Sequence, residues 1–186
     1  MSAQLEPRRF NVTEYNQMAE AGILTPDDRV ELIAGEIIKM SPIGSPHAAC
    51  VSRFVRLLPH AMEETAILWV QNPVRLSEFS EPVPDLALLM PREDYYASRH
   101  PVPADVLLII EVADTSLLKD RNVKIPLYAE AGLPEAWLVN LPEEIVEIYF
   151  GLQNGRYDKC LKFKRGEVVS SPTLKGLSVK VNEILG

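Results

Sequence analysis

The run Val106-Leu-Leu-Ile-Ile-Glu-Val-Ala113 constrains this chain more than any other stretch. A strand that is apolar at nearly every position must be covered on both faces, which calls for helices on either side of a sheet and so for an α/β fold. One acid interrupts it. An unpaired buried carboxylate costs several kcal/mol or changes its protonation, so Glu111 needs a partner or a task. Asp85 opens a second apolar run ending at Met90, and Asp120 and Lys124 follow Glu111 at helical spacing.

The 186 residues fit one domain, able to bury roughly 70% of the surface of the unfolded chain without a disulfide scaffold. With 47% apolar and 24% charged residues the composition is that of a globular protein. The longest apolar run, Val106 to Ile110, is far too short to span a membrane. The first ten residues hold no apolar segment of the secretory kind, so a cytoplasmic location is expected. Cys50 and Cys160 are far apart and lack metal-ligand spacing, which suits idle thiols in a reducing compartment. A net charge of −7 argues against a broad electropositive nucleic-acid footprint but leaves room for a local basic strip.

Along the chain, Thr13 can cap a short helix, 14–21, that Gly22 stops. Residues 30–33 and 36–40 flank Ala34-Gly35 and predict a hairpin carrying Glu31 and Glu36, as solvated strand carboxylates or as site residues. Ser45 before Pro46 predicts a helix reaching about Glu64, with Val51, Phe54, Val55, Leu58 and Met62 as its buried stripe and Pro59 as a bend. His47 stands in its first turn, either as a structural histidine or aimed across the helix N-terminus. Arg53, Arg56 and His60 lie elsewhere on it. Strands are expected at 67–71, around Val74 to Leu76, at 85–90, 105–112, 135–140, 145–150, 157–163 and 177–181, with an Asn154-Gly155 turn. A helix over 116–131, capped by Thr115 or Ser116 and kinked at Pro126, ends at Gly132. Lys162, Lys164 and Arg165 form a small basic cluster.

If the strands of Asp85 and Glu111 are neighbours, the two carboxylates meet at one end of the sheet, where repulsion raises a pKa unless a cation neutralises both. Hard oxygen donors of this kind suit Mg²⁺ or Mn²⁺, with water and a substrate phosphate completing the shell. Equally, Glu111 could pair with an arginine and Asp85 cap a turn. Asp120, Lys124 and Tyr128, spaced i, i+4, i+8, share one helix face; an acid four residues before a lysine is also an ordinary surface pair.

The order of these pieces resembles the restriction-endonuclease-like superfamily, whose signature is P-D followed by D/E-x-K. It is similar, more closely, to a large bacterial group of restriction endonuclease domain proteins. The matching text is E-L-I-A-G-E-I at 31–37, S-P-I-G-S-P-H at 41–47, E-P-V-P-D at 81–85, L-L-I-I-E-V-A-D-T-S at 107–116 and D-R-N-V-K-I-P-L-Y-A-E-A-G-L-P-E-A-W-L-V at 120–139. The resemblance implies a mixed central sheet flanked by the helices at 46–64 and 116–131, with an N-terminal helix-hairpin and a C-terminal β-hairpin added. It makes Asp85 and Glu111 ligands of Mg²⁺ or Mn²⁺. The superfamily lysine would stand where this chain has Ala113; in this group the adjoining helix is thought to supply it, which nominates Lys124 with Asp120 beside it. His47 and Glu31 become supporting residues, and Arg53, Arg56, Lys162, Lys164 and Arg165 weaker contacts for a nucleic-acid backbone.

The implied activity is metal-dependent hydrolysis of DNA phosphodiester bonds, by a homodimer if both strands are cut. Two rivals remain at this level: a catalytically inactive dimeric binding or regulatory module of the same fold, in which Ala113 marks lost activity, and a phosphoesterase for small substrates.

Overall fold

The computed structural model describes residues 7–62 and 65–186. Its centre is a six-stranded sheet of order β3-β4-β5-β6-β7-β8, formed by Ile67–Val70, Leu86–Leu89, Val106–Ala113, Glu135–Asn140, Ile145–Gln153 and Arg156–Lys164. Only β5 and β6 run parallel; every other neighbouring pair is antiparallel. The parallel pair needs a crossover, and the helical segment after Glu111 supplies it.

The apolar text of β5 and β6 is explained by cover on both faces. On one side Phe54 and Leu58 of helix α2 (Ser45–Ala61) pack with Leu108, Ile110, Val112 and Trp137, joined by Ile184 of the short helix α5 (Val181–Leu185). On the other, Ile125 and Tyr128 pack with Ile109, Ala113 and Leu138, joined by Val74, Leu76 and Tyr96. Alternate residues of one strand therefore feed two separate cores.

Several boundaries differ from expectation. Helix α1 (Val12–Glu20) is capped by Asn11, not Thr13: Asn11 Oδ1 accepts from the Glu14 N–H and the Glu14 carboxylate accepts from the Asn11 N–H, a reciprocal box one turn deep. Ser45 is the first residue of α2 and Gly44 its cap. Val55 is 40% exposed, because Cys50, Val51, Phe54 and Leu58 already complete the inward stripe. Residues 63 and 64, at the expected end of that helix, lie outside the described residues. Val74 to Leu76 is not a strand: its amides bond Pro82, Pro101 and Ser80 carbonyls while Val74 and Leu76 fill the core. Apolar alternation there records burial without a strand partner.

The hairpin of β1 (Val30–Ile33) and β2 (Glu36–Lys39) stands apart from the large sheet and turns at Ala34 and Gly35, both left-handed at φ 50° and 82°. A β-bridge between Leu32 and Glu81 ties it to the segment that leads into β4, helped by the Gly35 N–H on the Phe79 carbonyl and the Ala34 N–H on Ser80 Oγ. β7 and β8 turn at Asn154 and Gly155, φ 50° and 71°, as an Asn-Gly hairpin requires. β9 (Val168–Ser170) pairs with β10 (Ser178–Lys180) in a small separate sheet.

The crossover is the most informative departure. It comprises α3 (Leu117–Lys119), a π-helical turn at Asp120–Lys124, and α4 (Ile125–Glu130). Pro126 has no N–H to donate, and ahead of it the ladder widens so that the Ile125 N–H bonds the Asp120 carbonyl. Ser116 does not cap through its side chain; its Oγ donates to Asp120 Oδ2 instead, at 2.5 Å. Among the described residues no helix is long and apolar enough to cross a membrane.

Candidate active site

The antiparallel register sets Leu86 opposite Ile110, so the chain delivers Asp85 and Glu111 to the same end of adjacent strands. A cleft of about 60 Å³ opens there, and Glu31, His47, Asp85, Glu111, Asp120 and Lys124 all line it. The acids sit where the sheet ends because the strands supply rigid backbone while the cleft supplies solvent and counter-charge.

Asp85 is fixed through one oxygen. Its Oδ2 accepts from the Val112 N–H at 2.9 Å and lies 3.0 Å from His47 Nε2, whereas among the described residues Oδ1 meets only the Gln71 amide, at 3.4 Å. Burial alone would raise this carboxyl, but His47, the Val112 N–H and Lys124 together hold it below its ordinary value. The hydrogen bond that His47 makes to Asp85 reciprocally raises His47. His47 Nδ1 is buried and without a partner among the described residues.

Glu111 is 2% exposed. Its Oε1 accepts a short hydrogen bond from the Tyr128 hydroxyl and lies 2.7 Å from Lys124 Nζ; Oε2 accepts none among the described residues. Burial pushes this carboxyl up to about 8 against the pull of the Lys124 ammonium, and the charges of Asp120 and Asp85 push it further. Burial disfavours the Lys124 ammonium, yet Glu111, Glu31 and Asp120 together raise it above its usual range. Lys124 is thus a buried, charged lysine, and its other contacts are the Val83 carbonyl at 3.2 Å and Glu31 Oε2 at 3.4 Å.

Glu31 is fully buried, so the hairpin carboxylates divide: Glu36 is solvated and Glu31 belongs to the cleft. It takes Lys119 Nζ at 3.0 Å and the Val83 N–H at 3.1 Å. Burial raises it, but Lys124 and Lys119 outweigh that and bring it below normal. Asp120 is raised, by burial first, with Lys124 and the Ser116 hydroxyl opposing.

The five residues expected to touch a nucleic-acid backbone are not among those lining this cleft. Arg53 donates to the Leu185 carbonyl, Lys162 lies 3.1 Å from buried Glu147, and Arg165 forms a two-pronged pair with Glu144. Arg56 and Lys164 are exposed. Lys119, Gln71 and Tyr128 join the site without being among the residues the sequence nominates. Tyr128 shares the helical spacing of Asp120 and Lys124, whereas nothing in the local text around Lys119 or Gln71 announces their contacts with Glu31 and Asp85.

The donors present suit a divalent cation of the hard type. Asp85 Oδ1 and Glu111 Oε2 are the oxygens left without a close partner, and Mg²⁺ commonly takes one or two carboxylates and completes its shell with water and phosphate. Among the described residues no three His, Cys, Asp or Glu side chains gather as a ready-made metal cluster.

Residues 12–182 match the family described as "Putative restriction endonuclease" (Uma2). The fold is similar to the crystal structure of a "putative nuclease belonging to DUF820" from Anabaena variabilis, with a TM-score of 0.74 and 17% identity over 95% of this chain and 97% of that one. No curated protein matches the sequence.

Proposed function

Because the chain belongs to the Uma2 family, we propose that it is a nuclease that hydrolyses DNA phosphodiester bonds with Mg²⁺ or Mn²⁺. The observation that carries this reading is the contact of Lys124 Nζ with Glu111 Oε1 at 2.7 Å, beside Asp85 in one cleft. It supports a catalytic set of Asp85, Glu111 and Lys124 in which a helix supplies the lysine absent at Ala113. Ala113 itself is fully buried in the core and has no part in the cleft.

Asp85 and Glu111 would hold the cation, which when bound supplies an acidified water and positive charge to offset that developing on the phosphate. His47 and the Val112 N–H fix Asp85 through Oδ2 and leave Oδ1 for that task. Tyr128 holds Glu111 from the core side in the same manner. Lys124 would orient the attacking water or meet a non-bridging phosphate oxygen, using the donor now spent on its longest contact, Glu31 at 3.4 Å. Lys119 and Arg29, which also line the cleft, are better placed than the β8 cluster for the first phosphate contacts. A homodimer would present two such clefts to the two strands.

Cleavage of supercoiled plasmid and of single-stranded DNA with Mg²⁺ or Mn²⁺ tests this, using wild type, Asp85→Ala, Glu111→Ala and Lys124→Ala. Cleavage by the wild type alone is expected. Activity that survives both acid substitutions would reject the site, and DNA binding by a wild type that cleaves nothing would favour the inactive module.

A further inference from the structure

We infer that a second pocket beside the cleft takes an unpaired nucleobase bearing an exocyclic amino group, a substrate-reading role that rests on the nuclease reading above. The pocket measures about 530 Å³, within the range of small-ligand sites, and lies between α1, the end of β3 and the segment before β5. It shares two short segments of chain with the cleft. Gln71 lines the cleft while Asn72 lines the pocket, and Val83 lines the cleft while Glu81 lines the pocket. One to two residues of extended chain span roughly 3–7 Å, about one backbone step of an unpaired strand. A strand with its scissile phosphate in the cleft would carry a flanking base to this pocket.

The lining has the chemistry of a base site. Trp69 is half-buried and rigid: Nε1 donates to the Pro73 carbonyl at 3.1 Å and its ring meets Tyr96 edge-on at 6.1 Å. Tyr96 is itself pinned, its hydroxyl bonded to the Met90 carbonyl at 2.8 Å and its ring under the Arg92 and Arg99 guanidiniums. Tyr96, which lines the pocket, is left-handed at φ 62°, which is uncommon for an aromatic residue. A fixed indole is a stacking platform that costs little ordering when a base arrives.

Recognition falls to Glu81. It is only 3% exposed, yet it lines the pocket. Its Oε2 lies 3.3 Å from His100 Nδ1, and its Oε1 accepts no hydrogen bond among the described residues. A carboxylate oxygen accepts only, so it selects a base edge that presents N–H donors, such as the amino and imino groups of guanine or the amino group of cytosine. A uracil or thymine edge offers a single N–H donor flanked by two carbonyl oxygens, which repel the carboxylate. Arg75 is exposed at the rim and suits the attached phosphate.

Titration of the full-length protein in EDTA with GMP, UMP and inorganic phosphate tests this through tryptophan fluorescence. Trp137 is fully buried, so a quench reports Trp69. GMP is expected to quench saturably and to bind at least tenfold tighter than UMP, with no response to phosphate. Glu81→Gln should weaken GMP about tenfold, and Arg75→Ala, an exposed position that spares folding, should weaken GMP and UMP alike. Equal affinity for GMP and UMP, or GMP affinity untouched by Arg75→Ala and Glu81→Gln, would overturn the proposal. So would loss of the quench in Asp85→Ala, which would put the nucleotide in the cleft. A protein that cleaves DNA but does not bind GMP rejects the pocket alone; one that binds GMP in this pattern but cleaves nothing rejects the nuclease reading alone.

Discussion

Lys124 Nζ lies 2.7 Å from Glu111 Oε1, although one belongs to a π-helical turn and the other to the central strand that precedes it. In the proposed mechanism this lysine has no substitute. Lys124→Met is expected to lower kcat by roughly 10²–10³, the usual cost of deleting one preorganised donor. Single-turnover cleavage checks this, and a variant within threefold of wild type would remove Lys124 from the mechanism.

The buried Glu111 carboxyl gives stability a particular pH dependence. Its value is raised from 4.5 to about 8, so between those limits the folded state keeps a proton that the unfolded chain has released. That contribution is intact below 4.5 and is lost as pH rises through about 8. Glu111→Gln cannot ionise, so its stability should gain on wild type as pH rises, by several kcal/mol in all. Urea unfolding in EDTA at several pH values measures the gap, and parallel profiles would contradict it.

Glu31 joins the N-terminal hairpin to both lysines of the cleft, with Lys119 at 3.0 Å and Lys124 at 3.4 Å. Glu31→Gln should cost about 3 kcal/mol, since it leaves a buried ammonium short of counter-charge. Cleavage should fall about tenfold as Lys124 loosens. A variant as stable and active as wild type would make the hairpin incidental.

Glu135 is a buried acid of a different kind. Its Oε1 accepts from Trp137 Nε1, and its Oε2 accepts from Ser171 Oγ, the Thr173 N–H and Thr173 Oγ1. With every contact inside the fold, it anchors the loop after β9 to β6. Glu135→Ala should therefore destabilise by about 3–5 kcal/mol while the residual folded protein keeps its cleavage rate. Thermal unfolding and specific activity separate these effects.

Glu111 and Glu135 together mark how far the sequence discloses the fold and the site. The doubly covered strands β5 and β6 were legible because a continuously apolar run of six to eight residues must be shielded from water on both faces, and the spacing of Asp120, Lys124 and Tyr128 placed all three on one face. Glu135 stands in equally apolar text, but apart from Trp137 its partners, Ser171 and Thr173, lie more than thirty residues away, where no local pattern points back to it. The same holds for Glu31, whose hairpin looks like any solvated hairpin until β4 and the crossover are packed beside it. Val74 to Leu76 shows the opposite failure: alternating burial imitated a strand that has no ladder. The π turn was hidden because Pro126 announces only that the helical ladder must break, not how the chain rewinds around it.

The central claim is that Asp85 and Glu111 form one divalent-cation site. Calorimetric titration of Mn²⁺ into the wild-type protein, Asp85→Ala and Glu111→Gln at pH 8.5 tests it without any nucleic acid. One ion per chain should bind the wild type, and either substitution should abolish that binding while the protein stays folded. Mn²⁺ binding of equal strength in all three proteins would contradict the assignment.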